Sequence, residues 1–241
     1  MRIPQWLALT AVLAAVPVLA APPSEAGKDK TPFPDPSDFV EEIDNPFFPL
    51  EPGTTFFYEG EREGVPASDT FHVTHRTKTI LGVRCVVVHD DAFEEGRLVE
   101  RTSDYFAQDS RGNVWYFGED TEELDENGNV ASTEGTWRAG VDGALPGIIM
   151  EAHPRVGDSY DQEVAPGVAE DKAKVLRLDG ETCVPFGCFD DLLVTKEWSP
   201  LSPGEVENKY YAAGIGFVFG TLVKGGDEVT RLVSIDSSGP D

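Results

Sequence analysis

Cations are scarce in this sequence. Nineteen lysines and arginines stand against 44 aspartates and glutamates over 241 residues, a formal net charge of −25. Such a surface repels phosphate backbones and anionic membranes, so nucleic-acid binding is the first function class to exclude. Solubility outside the cell, life in high salt and cation binding remain as causes of the acidity. Cysteine is nearly absent too, with three residues, and no second cysteine pair is in range to complete a zinc site. There is almost no helical periodicity and no G-x-y repeat, and only one long apolar stretch. Collagen-like chains and polytopic helical membrane proteins are thereby excluded. The chain also lacks a G-x-S-x-G elbow, a P-loop and a dinucleotide fingerprint. Serine-elbow chemistry, nucleotide chemistry and a redox cofactor are unsupported, and no cofactor is expected.

The long apolar stretch is at the N-terminus. Arg2 precedes Leu7–Ala20 (LALTAVLAAVPVLA), and Val18-Leu19-Ala20 places small residues where a signal peptidase reads. The run is shorter than the roughly 20 residues that span a bilayer, and Pro17 interrupts it. A signal peptide over residues 1–20, a flexible leader over 21–36 and a single β domain over 37–241 are predicted, with the mature chain periplasmic or extracellular. No membrane span is expected.

Glycine and proline are plentiful, 24 and 18 residues, and fall between short β-rich runs. Only Pro36–Ile43 reads as helix, one or two turns capped by Ser37 with Phe39, Val40 and Ile43 on one side. Strands are predicted over 54–60, 70–80, 83–92, 98–108, 114–118 and 130–137. After a Gly/Pro-rich interruption at 139–147, they resume over 159–164, 173–178, 189–198, 206–212, 217–224 and 228–235. Leu81-Gly82, Glu95-Gly96 and Gly225-Gly226 supply tight turns. The up-and-down order predicts an all-β fold: a curved antiparallel meander sheet or half-open barrel with one short N-terminal helix. Cys183 and Cys188 flank a Pro/Gly turn in disulfide reach, and Cys85, among valines, reads as a buried core thiol.

The run Asn45-Pro46-Phe47-Phe48-Pro49-Leu50-Glu51-Pro52-Gly53-Thr54-Thr55-Phe56-Phe57-Tyr58-Glu59-Gly60 resembles the NPYFPL-x-PGT-x-x-x-YEG opening of a family of uncharacterised secreted bacterial β-proteins. Val114–Thr121 (VWYFGEDT) and Lys209–Gly216 (KYYAAGIG) resemble later signatures of the same family. The similarity runs from Phe39 to Ile235 and brings no activity with it. More loosely, the opening and the YYA-x-G-x-G resemble exported curved-sheet proteins, lipoprotein-carrier-like folds among them. That likeness implies a fold and leaves function open.

Three constellations are candidates for chemistry. A two-residue turn at Leu81-Gly82 sets His72 opposite Asp91 and His89 opposite Thr74, so His72, His89 and Asp91 share a face that could bind a transition metal; Arg76 and Lys78 share it and oppose a cation. Glu119 and Asp120, with Glu134 on the next strand, could supply a general acid and a base or nucleophile for glycoside hydrolysis; the plainer reading is a core strand followed by an acidic turn. Trp115, Tyr116, Trp137 and Tyr210 could line a cavity for a ligand. Asp125–Asn129 lacks the frame of a calcium loop and reads as a turn. The favoured expectation is an exported, non-catalytic protein whose sheet encloses an apolar or amphiphilic ligand or docks an envelope protein. A secreted hydrolase and a purely structural β-protein are the alternatives.

Overall fold

The computed structural model describes residues 33–237. The predicted signal peptide and most of the predicted leader lie outside the described residues. Fifteen strands make up the described chain: β1 (Thr55–Arg62), β2 (Val65–Ile80), β3 (Val83–Glu94), β4 (Arg97–Gln108), β5 (Val114–Leu124), β6 (Val130–Ser132), β7 (Trp137–Arg138), β8 (Leu145–Met150), β9 (Ser159–Asp161), β10 (Glu163–Val164), β11 (Lys172–Val184), β12 (Gly187–Trp198), β13 (Val206–Ala212), β14 (Gly216–Lys224) and β15 (Glu228–Asp236). The fold is all-β and antiparallel, in a single sheet.

The first three hairpins are set by their turns. Glu63-Gly64, Leu81-Gly82 and Glu95-Gly96 each carry two consecutive residues at positive φ, the type I′ geometry that matches strand twist. Along β2, buried Ala67, Asp69, Phe71 and Val73 alternate with half-exposed Ser68, Thr70 and His72, the period of two that a one-sided strand requires.

The order across the sheet is β10-β8-β5-β4-β3-β2-β1-β15-β14-β13-β12-β11-β9, with β6 and β7 also paired to β5. First and last strands therefore lie side by side, β1 between β2 and β15. The hydrogen-bonded path is open, and its two end strands are separated in the chain by Gln162 alone. The segment predicted as one strand over 159–164 thus divides its pairing: Ser159–Asp161 pairs with β11, and Glu163–Val164 pairs with β8. The sheet curves until one short stretch of backbone touches both edges.

Two expectations are corrected. No α-helix forms over Pro36–Ile43; Pro36–Asp38 is a single 3-10 turn, capped by Asp35, whose carboxylate accepts the Ser37 N–H. The second concerns the Gly/Pro-rich interruption, which contains the buried strand β8. Its Gly147 is required by close approach, since a Cβ there would lie 2.1 Å from the Gln162 carbonyl oxygen. The Cys183–Cys188 disulfide forms at the β11–β12 hairpin, and Cys85 is buried as a free thiol. Burial pushes that thiol up to about 12, which keeps it protonated and inert.

Residues 33–50 form a strap. Phe33 and Phe39 pack on Trp115 and Phe117, on the face of β5 opposite Tyr116. The chain then turns over the end of the sheet and seats Phe48 against Phe106, whose ring stacks on Tyr116 at 4.7 Å. β5 is buried on both sides for that reason. Among the described residues, no helix is long and apolar enough to cross a membrane.

Candidate functional site

The three sequence signatures meet at one end of the sheet. Asn45 is the anchor of the strap: its amide nitrogen donates to the carbonyls of Gly112 (2.8 Å) and Glu151 (3.1 Å), and its Oδ1 accepts the Phe47 N–H. Gln108 Oε1 accepts the backbone N–H groups of Asp44 and Asn45. From the β13–β14 turn, the Gly214 N–H donates to the Pro46 carbonyl at 2.7 Å. The NPFFPL segment is thereby clamped to the β4–β5 turn, the end of β8 and the GIG turn, and it caps the interior of the curved sheet.

Beneath this cap lies a cavity of about 30 Å³, room for about two waters. Its walls are apolar and mostly aromatic: Phe48 and Leu50 from the cap, Phe56 and Phe71 from β1 and β2, and Ile215 and Phe217 from the opposite side. Its polar groups are Tyr58, Thr230 and two carboxyls, Asp69 and Asp90, 3% and 8% exposed. Tyr58 spends its hydroxyl on the Phe217 carbonyl at 3.1 Å. The two carboxyls are neighbours, and each shifts the other's titration. Burial, and then the charge of Asp90, raises Asp69 well above the carboxylate range; burial moves Asp90 to about 6, against the opposing Asp69 hydrogen bond. Asp69 Oδ2 and Asp90 Oδ1 are enclosed and accept no hydrogen bond among the described residues.

The pair is one end of a row of inward-facing acids. Asp90 is followed by Glu100 and Asp104 on β4, Glu119 on β5 and Glu163 on β10, all buried. Each is raised first by burial and then by its neighbours' charges. Tyr116 donates its hydroxyl to Asp104 at 2.5 Å, and Thr121 donates to Glu119. From the facing wall comes a buried cation, Lys209, 2.9 Å from Glu197 and 3.6 Å from Glu207. Burial disfavours its charge, but the two glutamates outweigh burial and raise it, and its field reaches Asp90 and Glu163.

The structure distributes the predicted site residues as follows. Glu119 and Asp120 point to opposite faces of β5, Glu119 inward and Asp120 outward into an ion-pair cluster with Lys78 (3.0 Å), Arg138 and the Tyr105 hydroxyl. Glu134 sits exposed in the turn before β7. The three carboxylates therefore share no cleft, and a glycosidase pair built from them is not assembled.

The histidine register also differs from expectation. A bulge between Val73 and Thr77 shifts the β2–β3 pairing, so His72 faces His89 and Asp91 faces Thr70. His72 Nδ1 is hydrogen-bonded to Thr55 Oγ1 at 2.7 Å, and burial lowers His89. Among the described residues, no three His, Cys, Asp or Glu side chains are grouped to hold a metal. Of the predicted ligand-lining aromatics, Trp115 is buried under the strap and donates its indole N–H to Asp109 at 3.0 Å. Tyr116 and Trp137 pack edge to face, and half-buried Tyr210 packs on Phe219. None of the four lines the cavity under the cap.

Sequence reasoning missed Asp69 and Asp90, yet a signal was present. Asp69 sits in step with Phe71 and Val73, Asp90 with Val88 and Ala92, and Asp104 with Thr102 and Phe106. An acid recurring at the period of the apolar face is an acid pointing inward.

No family model matches the chain, and no curated protein matches it in sequence. Two solved structures are similar to it in part. One, from Bacteroides fragilis NCTC 9343, is described as exported and of YmcC-like fold; it is 14% identical with a TM-score of 0.46, the match covering 79% of this chain and 98% of that one. The other, described as a lipoprotein from Parabacteroides distasonis ATCC 8503, is 12% identical with a TM-score of 0.45 and the same coverage.

Proposed function

We propose that this is an exported, non-catalytic protein that binds a small amphiphilic ligand beneath the cap of its curved sheet. The observation that carries the reading is the cavity itself, with largely aromatic walls and two buried carboxyls in its lining. At about 30 Å³ the space is too small for such a ligand as it stands. The cap is held by Asn45 and Gly214 contacts rather than by a strand ladder, and is the part that yields on entry. Export rests on the N-terminal apolar run and its cleavage-site residues.

Calorimetric titration with 1-alkanols from propanol to octanol tests the binding half. Saturable binding that disappears in Phe71→Trp, which fills the cavity, supports it; failure of every alkanol to bind the wild-type protein overturns it. For the export half, N-terminal sequencing of the protein from its host should begin at Ala21. An intact N-terminus in the cytosolic fraction would remove it.

A further inference from the structure

Ligand head chemistry is legible in the carboxyl pair, given the binding reading above on which this inference rests. The Asp69 and Asp90 carboxyls line the cavity, and among the described residues Asp69 Oδ2 and Asp90 Oδ1 have no hydrogen-bond donor. Both residues are more than nine-tenths buried. A buried acceptor left without a donor costs free energy comparable to a lost hydrogen bond, and a ligand that supplies the donors recovers it.

The walls narrow the choice. Phe48, Phe56, Phe71 and Phe217 present rings around the pair, and Tyr58 presents a ring whose hydroxyl is already committed to Phe217. Aromatic faces attract a cation and offer nothing to an anion. Lys209 is held by Glu197 and Glu207 on the facing wall, and among the described residues no cation lines the cavity. We infer that the head group is a monovalent ammonium: its N–H groups donate to the Asp69 and Asp90 carboxyls, and its alkyl portion lies along Phe48, Phe56 and Phe71. A carboxylate or phosphate head meets two acceptors and a row of acids and is rejected. An alcohol of equal length gains the wall contacts and a single hydrogen bond from an uncharged donor, without the ion pair.

The test is a titration of the full chain with n-hexylammonium, 1-hexanol and hexanoate, repeated on Asp90→Asn and on Asp69→Asn/Asp90→Asn. These substitutions keep side-chain shape, and retained 1-hexanol binding shows that the cavity is intact. The expected result is hexylammonium about tenfold or more tighter than 1-hexanol, and weakened by about tenfold or more in both variants, with 1-hexanol little changed. Hexanol binding as tightly as hexylammonium, or hexylammonium affinity unchanged in the double variant, overturns the ammonium assignment and leaves the cavity reading standing. Failure of both hexylammonium and hexanol to bind the wild-type chain overturns the two together.

Discussion

Single buried carboxyls set how this molecule responds to pH. Asp90 binds its proton more tightly in the fold than in the unfolded chain, with its value moved from 3.8 to about 6. A group raised on folding contributes stability that is fully present below its unfolded value and is lost as pH rises through the folded one. Asp109 has the opposite sign: burial raises it, but hydrogen bonds from Asn113 and Trp115 prevail and lower it, so its contribution disappears only in stronger acid. Thermal melts should therefore peak near pH 4, on the order of 5 °C above the value at pH 8, and Asp90→Asn should reduce that difference. A midpoint that rises steadily from pH 5 to pH 8 would contradict this account. The inward direction of these acids was readable from their place in the alternation. What they face was not, because Asp90 on β3 and Lys209 on β13 are brought within reach only by the curvature of the whole sheet.

At the scale of elements, the strand content was legible because turn chemistry and alternation agree. X-Gly pairs at 81–82 and 95–96 fix two hairpins, and the apolar period fixes which face turns inward, while the Glu63-Gly64 turn and the first residues of β2 went unread. The β2–β3 register was legible only as far as Thr77↔Val86, where the bulge begins; no residue in Thr74–Arg76 announces the shift that sets His72 against His89. The NPFFPL segment was recognisable as a signature and became a cap only when its contacts with Gly112, Glu151 and Gly214 were seen. Asn45→Ala should cost about 2–3 kcal/mol in urea unfolding, since it leaves two carbonyls and the Phe47 N–H without their partner. If stability is unchanged, the cap is not anchored there. Replacing Cys183 and Cys188 by serine should cost about 2 kcal/mol, because the loop they close is short, with the far-ultraviolet spectrum unaltered.

The whole molecule depends on two joins, one where the ends of the strand order meet and one at its middle. At the first, Gly147 lets β8 approach the Gln162 backbone; Gly147→Ala should destabilise by about 3 kcal/mol or prevent folding. Gly187→Ala, whose nearest neighbour would be the Phe189 ring at 3.9 Å, should cost less than about 1 kcal/mol. Equal effects in the two variants would mean that the edges are not held there. The other join is β1 against β15, in the middle of the strand order, where the first strand pairs with the last. This pairing has a consequence for the order of assembly. As the chain is made, β1 through β5 can zip together from local contacts, but the outer edge of β1 has no partner until Glu228–Asp236 has emerged. A row of open backbone donors and acceptors therefore persists through most of synthesis, and the chain stays unlocked until its last strand arrives.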